Sequence, residues 1–213
     1  MKYCYKLLLW ICLITFSVLN VQGQRKMENL GRGVVATRSA SDEAFISWRL
    51  LGTEAQNIGF NIYRSTGGGA AVKLNDQVLL KGTNWVDRTA DWTVDNNYFV
   101  KPVENGIEQA ASAVFTLVAN TPVQPFFKVP IRNLAGYASQ CVFVGDLDGD
   151  GEFDYVMDKQ PDVSTKSTLL EAYKRDGTFL WEIDLGPNSI NRDNIEPGSS
   201  AIDIGHADNW TVY

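Results

Sequence analysis

The sequence predicts an all-β protein in which a β-sandwich precedes the first blade of a calcium-binding β-propeller. Three observations predict this fold. Segments of alternating apolar and polar residues recur across residues 44–118, a proline-rich stretch follows them, and an acidic loop then lies between two short apolar segments. Alternation at every second residue is typical of strands that have one buried face.

The chain opens with the features of a secretory signal peptide over residues 1–23. Lys2 and Lys6 precede an apolar run at residues 7–19, and a glycine stands at the expected cleavage point. The run is too short to span a bilayer comfortably, which disfavours the alternative of a membrane anchor. Cleavage leaves Cys141 as the one remaining cysteine. We therefore expect no internal disulfide, and we expect Cys141 to be a small core residue of a strand.

Residues 24–120 are predicted to form the sandwich. Alternation places four side chains on one face of an early strand: Ala44, Ile46, Trp48 and Leu50. Further strand segments follow at residues 60–64, 84–87, 98–100 and 114–118, with Gly, Asn and Asp between them. The domain size, the tryptophan in an early strand and Tyr98 near the start of a late strand are similar to a fibronectin type III domain.

A linker is predicted at residues 121–130, where three prolines keep the chain extended. Four strand segments follow, at residues 141–145, 154–159, 168–174 and 179–185. The last two are joined by an Asp-Gly turn, which is a strong hairpin signal. Four short antiparallel strands form one propeller blade, and a blade needs neighbours on both faces. The sequence therefore predicts that residues 131–213 begin a propeller within a longer protein.

The acidic loop between the first two of these strands is a candidate calcium site. Asp146, Asp148 and Asp150 occupy its first, third and fifth positions, the carbonyl of Glu152 the seventh and Asp154 the ninth. Calcium takes about six to eight oxygen ligands, and this spacing wraps one ion. The twelfth position is a methionine where an EF-hand needs a bidentate glutamate, and strands flank the loop. The alternative is a solvated turn that binds no metal.

Several motifs together resemble a known family. In chain order they are residues 30–36 (LGRGVVA), 46–53 (ISWRLLGT), 60–64 (FNIYR), 144–152 (VGDLDGDGE), 171–178 (EAYKRDGT) and 180–186 (LWEIDLG). These motifs in this order resemble the start of the rhamnogalacturonan lyases of polysaccharide lyase family 11. The resemblance implies a fibronectin-like domain on an eight-bladed propeller that holds several calcium ions. It also implies cleavage of the bond between rhamnose and galacturonic acid in rhamnogalacturonan I by β-elimination.

The resemblance also bears on the site residues. It implies that the catalytic calcium and base come from later blades, so that this chain holds no catalytic residue and its acidic loop is a structural site. The polar loop at residues 160–167 is shorter than is usual in the family, and residues 189–200 are inserted. Lys159 and His206 are candidate substrate contacts. These departures leave the endo or exo mode open.

Charge limits the partners. The signal peptide carries two of the nineteen basic and none of the twenty-five acidic residues, so the mature chain has a net charge of −8. This balance argues against binding to nucleic acid or to an anionic membrane. The resemblance implies the pectic polysaccharide rhamnogalacturonan I as partner. We expect a monomer that is secreted or periplasmic, with attachment to the cell surface left open.

Two other classes of function stay open. One is a non-enzymatic, secreted, calcium-dependent carbohydrate-binding or adhesion protein with propeller repeats. The other is a surface spacer stiffened by calcium, which would have no affinity for pectin fragments. Either class would share the sandwich and the acidic loop.

Overall fold

The computed structural model describes residues 29–163 and 165–190, and within them the protein is all-β, as predicted. The strands are β1 (Val35–Ala40), β2 (Glu43–Ser47), β3 (Gly59–Thr66), β4 (Val72–Lys73), β5 (Asn84–Asp87), β6 (Asn96–Glu104), β7 (Ile107–Glu108), β8 (Phe115–Leu117), β9 (Tyr137–Ala138), β10 (Val142–Gly145), β11 (Asp154–Pro161), β12 (Leu169–Tyr173) and β13 (Phe179–Asp184). A short 3₁₀ helix follows at Pro187–Ser189.

The first eight strands form two antiparallel sheets that share one core. The first sheet has the order β1-β2-β5, and the second has the order β4-β3-β6-β7 with β8 also paired to β6. The first sheet contributes Ala36, Ala44 and Ile46 to the core, and the second contributes Phe60, Ile62, Tyr98, Val100 and Leu117. Because both sheets bury side chains in the same cluster, this region is the predicted β-sandwich.

The predicted alternation in β2 is correct for three of its four inward positions. Ala44, Ile46 and Trp48 are almost fully buried. Leu50 was predicted on the same face, and this is wrong, because its side chain is 61% exposed. The strand ends at Ser47, so the period of two does not extend to residue 50.

A buried polar group joins the two sheets of the sandwich. Asp87, at the end of β5, accepts hydrogen bonds from Arg64 Nη1 of β3 at 2.5 Å and from the Tyr98 hydroxyl of β6 at 2.9 Å. Its other oxygen accepts the amide and hydroxyl of Thr89. Burial alone would raise the pKa of Asp87, but the Thr89 hydrogen bonds, the Arg64 charge and the Tyr98 hydroxyl outweigh it, and the pKa is lowered.

Strands β10 to β13 pair consecutively and antiparallel, and we name them the meander sheet. The predicted Asp-Gly hairpin is present between β12 and β13, where the amide of Lys174 donates to the carbonyl of Thr178 at 2.8 Å. Strand β9 pairs with the far end of β11. Val156, Leu170 and Ala172 are the buried centre of this sheet.

Cys141 was predicted to be a core residue, and this is wrong, because Cys141 is exposed. Strand β10 begins one residue later and lies at the edge of the meander sheet. Its side chains Val142, Phe143 and Val144 are also exposed. The apolar run therefore correctly predicts a strand, but it does not predict burial of that strand among the described residues.

No strand lies between Leu117 and Tyr137, in residues that are all described. This connection, which contains the predicted linker, is fixed to the sandwich at its start. Arg38 Nη1 donates to the carbonyl of Thr121 at 3.0 Å, and the amide of Gln124 donates to the carbonyl of Arg38 at 2.7 Å. No helix in the described part of the chain is long and apolar enough to cross a membrane. The predicted signal peptide lies outside the described residues.

Candidate metal centre

The acidic loop lies where β10 passes into β11, at one end of the meander sheet. Gly145 and Asp154 are paired across the two strands, so the intervening loop returns the chain on itself. Asp146, Asp148 and Asp154 each offer a carboxylate oxygen, and these oxygens lie within 4.8 Å of one another. Three of the five predicted ligands are thereby brought together.

Two glycines allow the loop to close. Gly149 and Gly151 have φ angles of 80° and 85°, a region that other residues rarely adopt. The amides of both glycines point at the first aspartate: Gly149 donates to Asp146 Oδ1 at 2.8 Å, and Gly151 donates to Asp146 Oδ2 at 2.9 Å. The backbone therefore orients Asp146 towards the centre of the loop.

Asp154 is the innermost carboxylate. It is 2% exposed, and one of its oxygens accepts the amide of Leu147 at 2.9 Å. Burial raises the pKa of Asp154, and the nearby charges of Asp148 and Asp150 add to this rise. A buried carboxylate among like charges is stabilised in its ionised form by a cation.

The other two predicted ligands are placed differently. Asp150 Oδ2 lies 3.0 Å from Lys174 Nζ, and the same ammonium lies 2.5 Å from Asp148 Oδ2. The carboxylate of Glu152 is directed to Arg49 and Arg175, at 3.7 and 3.5 Å. This leaves the backbone carbonyl of Glu152 as the oxygen that the seventh loop position supplies.

The donor set fits calcium. It offers hard oxygens from three carboxylates, to which the carbonyl of Glu152 would add a fourth, and no nitrogen or sulfur ligand among the residues that the loop brings together. The ion would connect the end of β10 to the start of β11, because its ligands come from both ends of the loop.

Sequence reasoning missed Lys174 as a neighbour of the loop. A signal for it exists, since β11 and β12 pair with Tyr155 opposite Tyr173. Continuing this register by one residue sets Lys174 beside Asp154, next to the acidic loop. Arg49 and Arg175 were also missed as neighbours of the loop. Both contact Glu152, and no local sequence pattern predicts these contacts.

Lys159, a predicted substrate contact, lies inside a polar cluster on the other half of the meander sheet. Its residue exposure is 4%, and its ammonium lies 3.3 Å from Glu171 Oε2 and 3.2 Å from the Arg132 carbonyl. Glu171 is fully buried and is also bound by Arg132 and by the Tyr173 hydroxyl. A contact between Lys159 and substrate stays a prediction. His206 lies outside the described residues.

Comparison with known proteins gives two matched domain families, in order along the chain. Residues 25–118 match the β-sheet domain of rhamnogalacturonan I lyases, and residues 131–194 match the C-terminal domain of rhamnogalacturonan lyase family 11.

Two curated relatives are from Bacillus subtilis strain 168. The rhamnogalacturonan endolyase YesW is 37% identical over an alignment that covers 77% of this chain and 27% of YesW. The rhamnogalacturonan exolyase YesX is 32% identical over an alignment that covers 78% of this chain and 28% of YesX. A solved structure, the Bacillus licheniformis PL11 rhamnogalacturonan lyase, is 33% identical with a TM-score of 0.60, and 76% of this chain and 29% of that chain are covered. The chain thus spans under a third of the length of these relatives.

Proposed function

Because the chain belongs to rhamnogalacturonan lyase family 11, we propose that the protein of which it is part cleaves rhamnogalacturonan I by β-elimination. The observation that carries this proposal is the pair of family domains that match in order along one chain. The endolyase YesW and the exolyase YesX are similarly related to the chain, so the likeness supports the reaction and leaves its mode open.

β-Elimination breaks the bond between C4 of galacturonic acid and the oxygen that joins it to rhamnose. A base takes the proton from C5, its electron pair forms the double bond between C4 and C5, and the departing oxygen acquires a proton. A calcium ion, where the protein holds one for the reaction, would supply positive charge as negative charge develops on the uronate. The substrate is acidic and the net charge of the chain is negative, so binding would require local cations in the cleft that holds the polymer.

We assign a structural role to the acidic loop and no catalytic residue to the described part of this chain. The loop takes its ligands from the protein on both sides of a strand connection, as a tie between two strands would. Lys159 and Lys174, the lysines of the meander sheet nearest to acidic groups, are engaged with Glu171 and with Asp148 and Asp150. Neither offers a free base for C5, so the base would come from another part of the protein.

The meander sheet would be one blade of a propeller. It has four consecutive antiparallel strands, and it leaves Val142, Phe143 and Phe179 exposed on its surface. Apolar side chains in these positions suit packing between successive blades. Secretion or export to the periplasm is part of the same proposal, because a polymer of this size must be met outside the cytoplasm and the chain opens with a signal-like sequence.

The test uses the full-length protein and purified rhamnogalacturonan I. The ultraviolet absorbance of unsaturated uronic ends is followed with calcium present and after treatment with a chelator. We expect absorbance to rise with calcium and to stop rising with chelator. Retention of the polymer on an affinity gel without any rise in absorbance would contradict the lyase and favour a carbohydrate-binding protein. Sizing of the early products separates endo from exo cleavage.

A further inference from the structure

The sandwich contacts the acidic loop through Gly31 and Arg49, and both of these residues meet the backbone of the loop at Gly151. The Gly151 carbonyl accepts two hydrogen bonds from the sandwich side, one from the amide of Gly31 at 2.6 Å and one from Arg49 Nη1 at 3.0 Å. The same Arg49 nitrogen donates to the carbonyl of Gly31 at 3.0 Å. Two carbonyls from distant parts of the chain thus meet at one guanidinium group.

The rest of Arg49 is held as firmly. Its guanidinium carbon lies 3.9 Å from the centre of the Phe153 ring, and its Nη2 lies 3.7 Å from the Glu152 carboxylate. Its own amide donates to the carbonyl of Arg32 at 2.7 Å. A guanidinium group stacks on an aromatic face and donates in several fixed directions, and a lysine ammonium does not reproduce both properties.

The two backbones approach closely because both partners are glycine. A Cβ atom on Gly31 would lie 3.2 Å from the Gly151 carbonyl oxygen, and one on Gly151 would lie 3.0 Å from the Gly31 amide nitrogen. Arg175 adds a contact between the meander sheet and the sandwich, since it lies 3.5 Å from Glu152 and donates to the carbonyl of Val34 at 3.4 Å.

Gly151 also belongs to the metal centre. Its amide donates to Asp146 Oδ2, the first predicted ligand, and the next residue, Glu152, supplies the predicted carbonyl ligand. The sandwich therefore binds the carbonyl of Gly151, while the amide of Gly151 binds the predicted ligand Asp146. A shift of Gly151 would change both its contact with the sandwich and the position of Asp146.

We propose that docking of the sandwich preorganises the acidic loop for calcium, with Arg49 as the positioning residue, and that bound calcium in turn holds the sandwich on the meander sheet. This inference rests on the proposed calcium site. Because the coupling between two binding events is reciprocal, each event strengthens the other by the same factor.

The experiment measures calcium binding to the full-length protein by calorimetry. Arg49→Ala is compared with wild type and with Arg88→Ala, a matched control in which an exposed sandwich arginine loses its carboxylate partner Glu43. We expect Arg49→Ala to weaken binding at the loop by about fivefold or more, within the usual range for coupled sites. We expect Arg49→Lys to restore part of this affinity and Arg88→Ala to leave it unchanged.

Asp148→Asn in the same protein separates the hypothesis of a calcium site in the acidic loop from the hypothesis that this site is coupled to sandwich docking. If its isotherm equals that of wild type, the acidic loop is not a calcium site, and the site and the coupling are both excluded. If Asp148→Asn removes a binding event while folded Arg49→Ala retains wild-type affinity for that event, the coupling alone is overturned.

A measurement on wild type covers the case in which Arg49→Ala does not fold. Hydrogen exchange of the Gly31 amide is followed with calcium present and with chelator. Its acceptor is the Gly151 carbonyl, so we expect slower exchange when calcium is bound. Equal exchange rates under the two conditions would overturn the proposal.

Discussion

The ammonium of Lys174 lies 2.5 Å from a carboxylate oxygen of Asp148. It also lies 3.0 Å from Asp150, so one side chain pairs with two of the predicted calcium ligands. The hydrogen bond to Asp148, and then the one to Asp150, raise the pKa of Lys174, so its ammonium stays charged throughout the physiological range. Lys174, which follows β12, is thus a cation held against the loop, and it pairs with oxygens that calcium would use.

Replacement of Lys174 by methionine is expected to tighten calcium binding several-fold. The variant keeps the length and apolar stem of the side chain but removes the charge that competes for Asp148 and Asp150. Calorimetric titration measures the change. Lys101→Met is the matched control, because Lys101 forms a comparable ion pair with Glu108 in the sandwich. Weaker binding in Lys174→Met would show that the lysine supports the bound ion and does not compete with it.

Removal of calcium is expected to lower the thermal stability of the full-length protein, and Asp148→Asn is expected to abolish the part of this effect that comes from the acidic loop. A ligand that binds only the folded state at a hundredfold excess over its Kd stabilises that state by about 2.7 kcal/mol. Thermal denaturation with calcium and with chelator gives the increment for each variant. Asp42→Asn, at an exposed turn of the sandwich, is the control. An identical increment in wild type and Asp148→Asn would exclude the acidic loop as the calcium site that stabilises the protein.

The strands of the meander sheet were predicted closely because each carries a local signal. The Asp-Gly turn after Arg175 marks the hairpin of β12 and β13, and the acidic loop marks that of β10 and β11. In the sandwich, Ala44, Ile46 and Trp48 follow the simple period of a half-buried strand. In both regions the evidence for the element lies within the element itself.

Other features could not be predicted because they depend on contacts between distant residues. Strand β1 has the mixed sequence Val-Ala-Thr-Arg-Ser-Ala, and its pairing with β2 makes it a strand. Arg49 and Gly151 are 102 residues apart, and nothing near either residue announces their contact. Cys141 precedes an apolar run, yet the strand that this run forms lies at a sheet edge. The sequence thus predicted the loop that would bind the metal and missed the contacts that hold the loop in place.

Asp87→Asn is expected to destabilise the sandwich by about 3 kcal/mol near neutral pH, because it removes the charge partner of the buried Arg64. The pKa of Asp87 is lowered in the folded state, so its ionisation contributes stability that is fully present above the unfolded pKa of about 4. This contribution is lost as the pH falls towards the folded pKa. Urea denaturation across the acid range should therefore show the two proteins converging as pH decreases. A constant difference at every pH would contradict the assignment.

Glu171→Gln is expected to destabilise the meander sheet by about 3 kcal/mol, since Lys159 would remain buried without its counter-charge. Glu182→Gln provides the control within the same cluster, because Glu182 also pairs with Arg132 but is partly exposed. An exposed pair contributes at most about 1 kcal/mol, so the control should unfold at nearly the wild-type urea concentration. Near-ultraviolet circular dichroism reports on Trp181, which packs against the core of this sheet. Equal losses in the two variants would mean that Arg132 is the partner that matters, and that Lys159 is stabilised by the Arg132 carbonyl and not by Glu171.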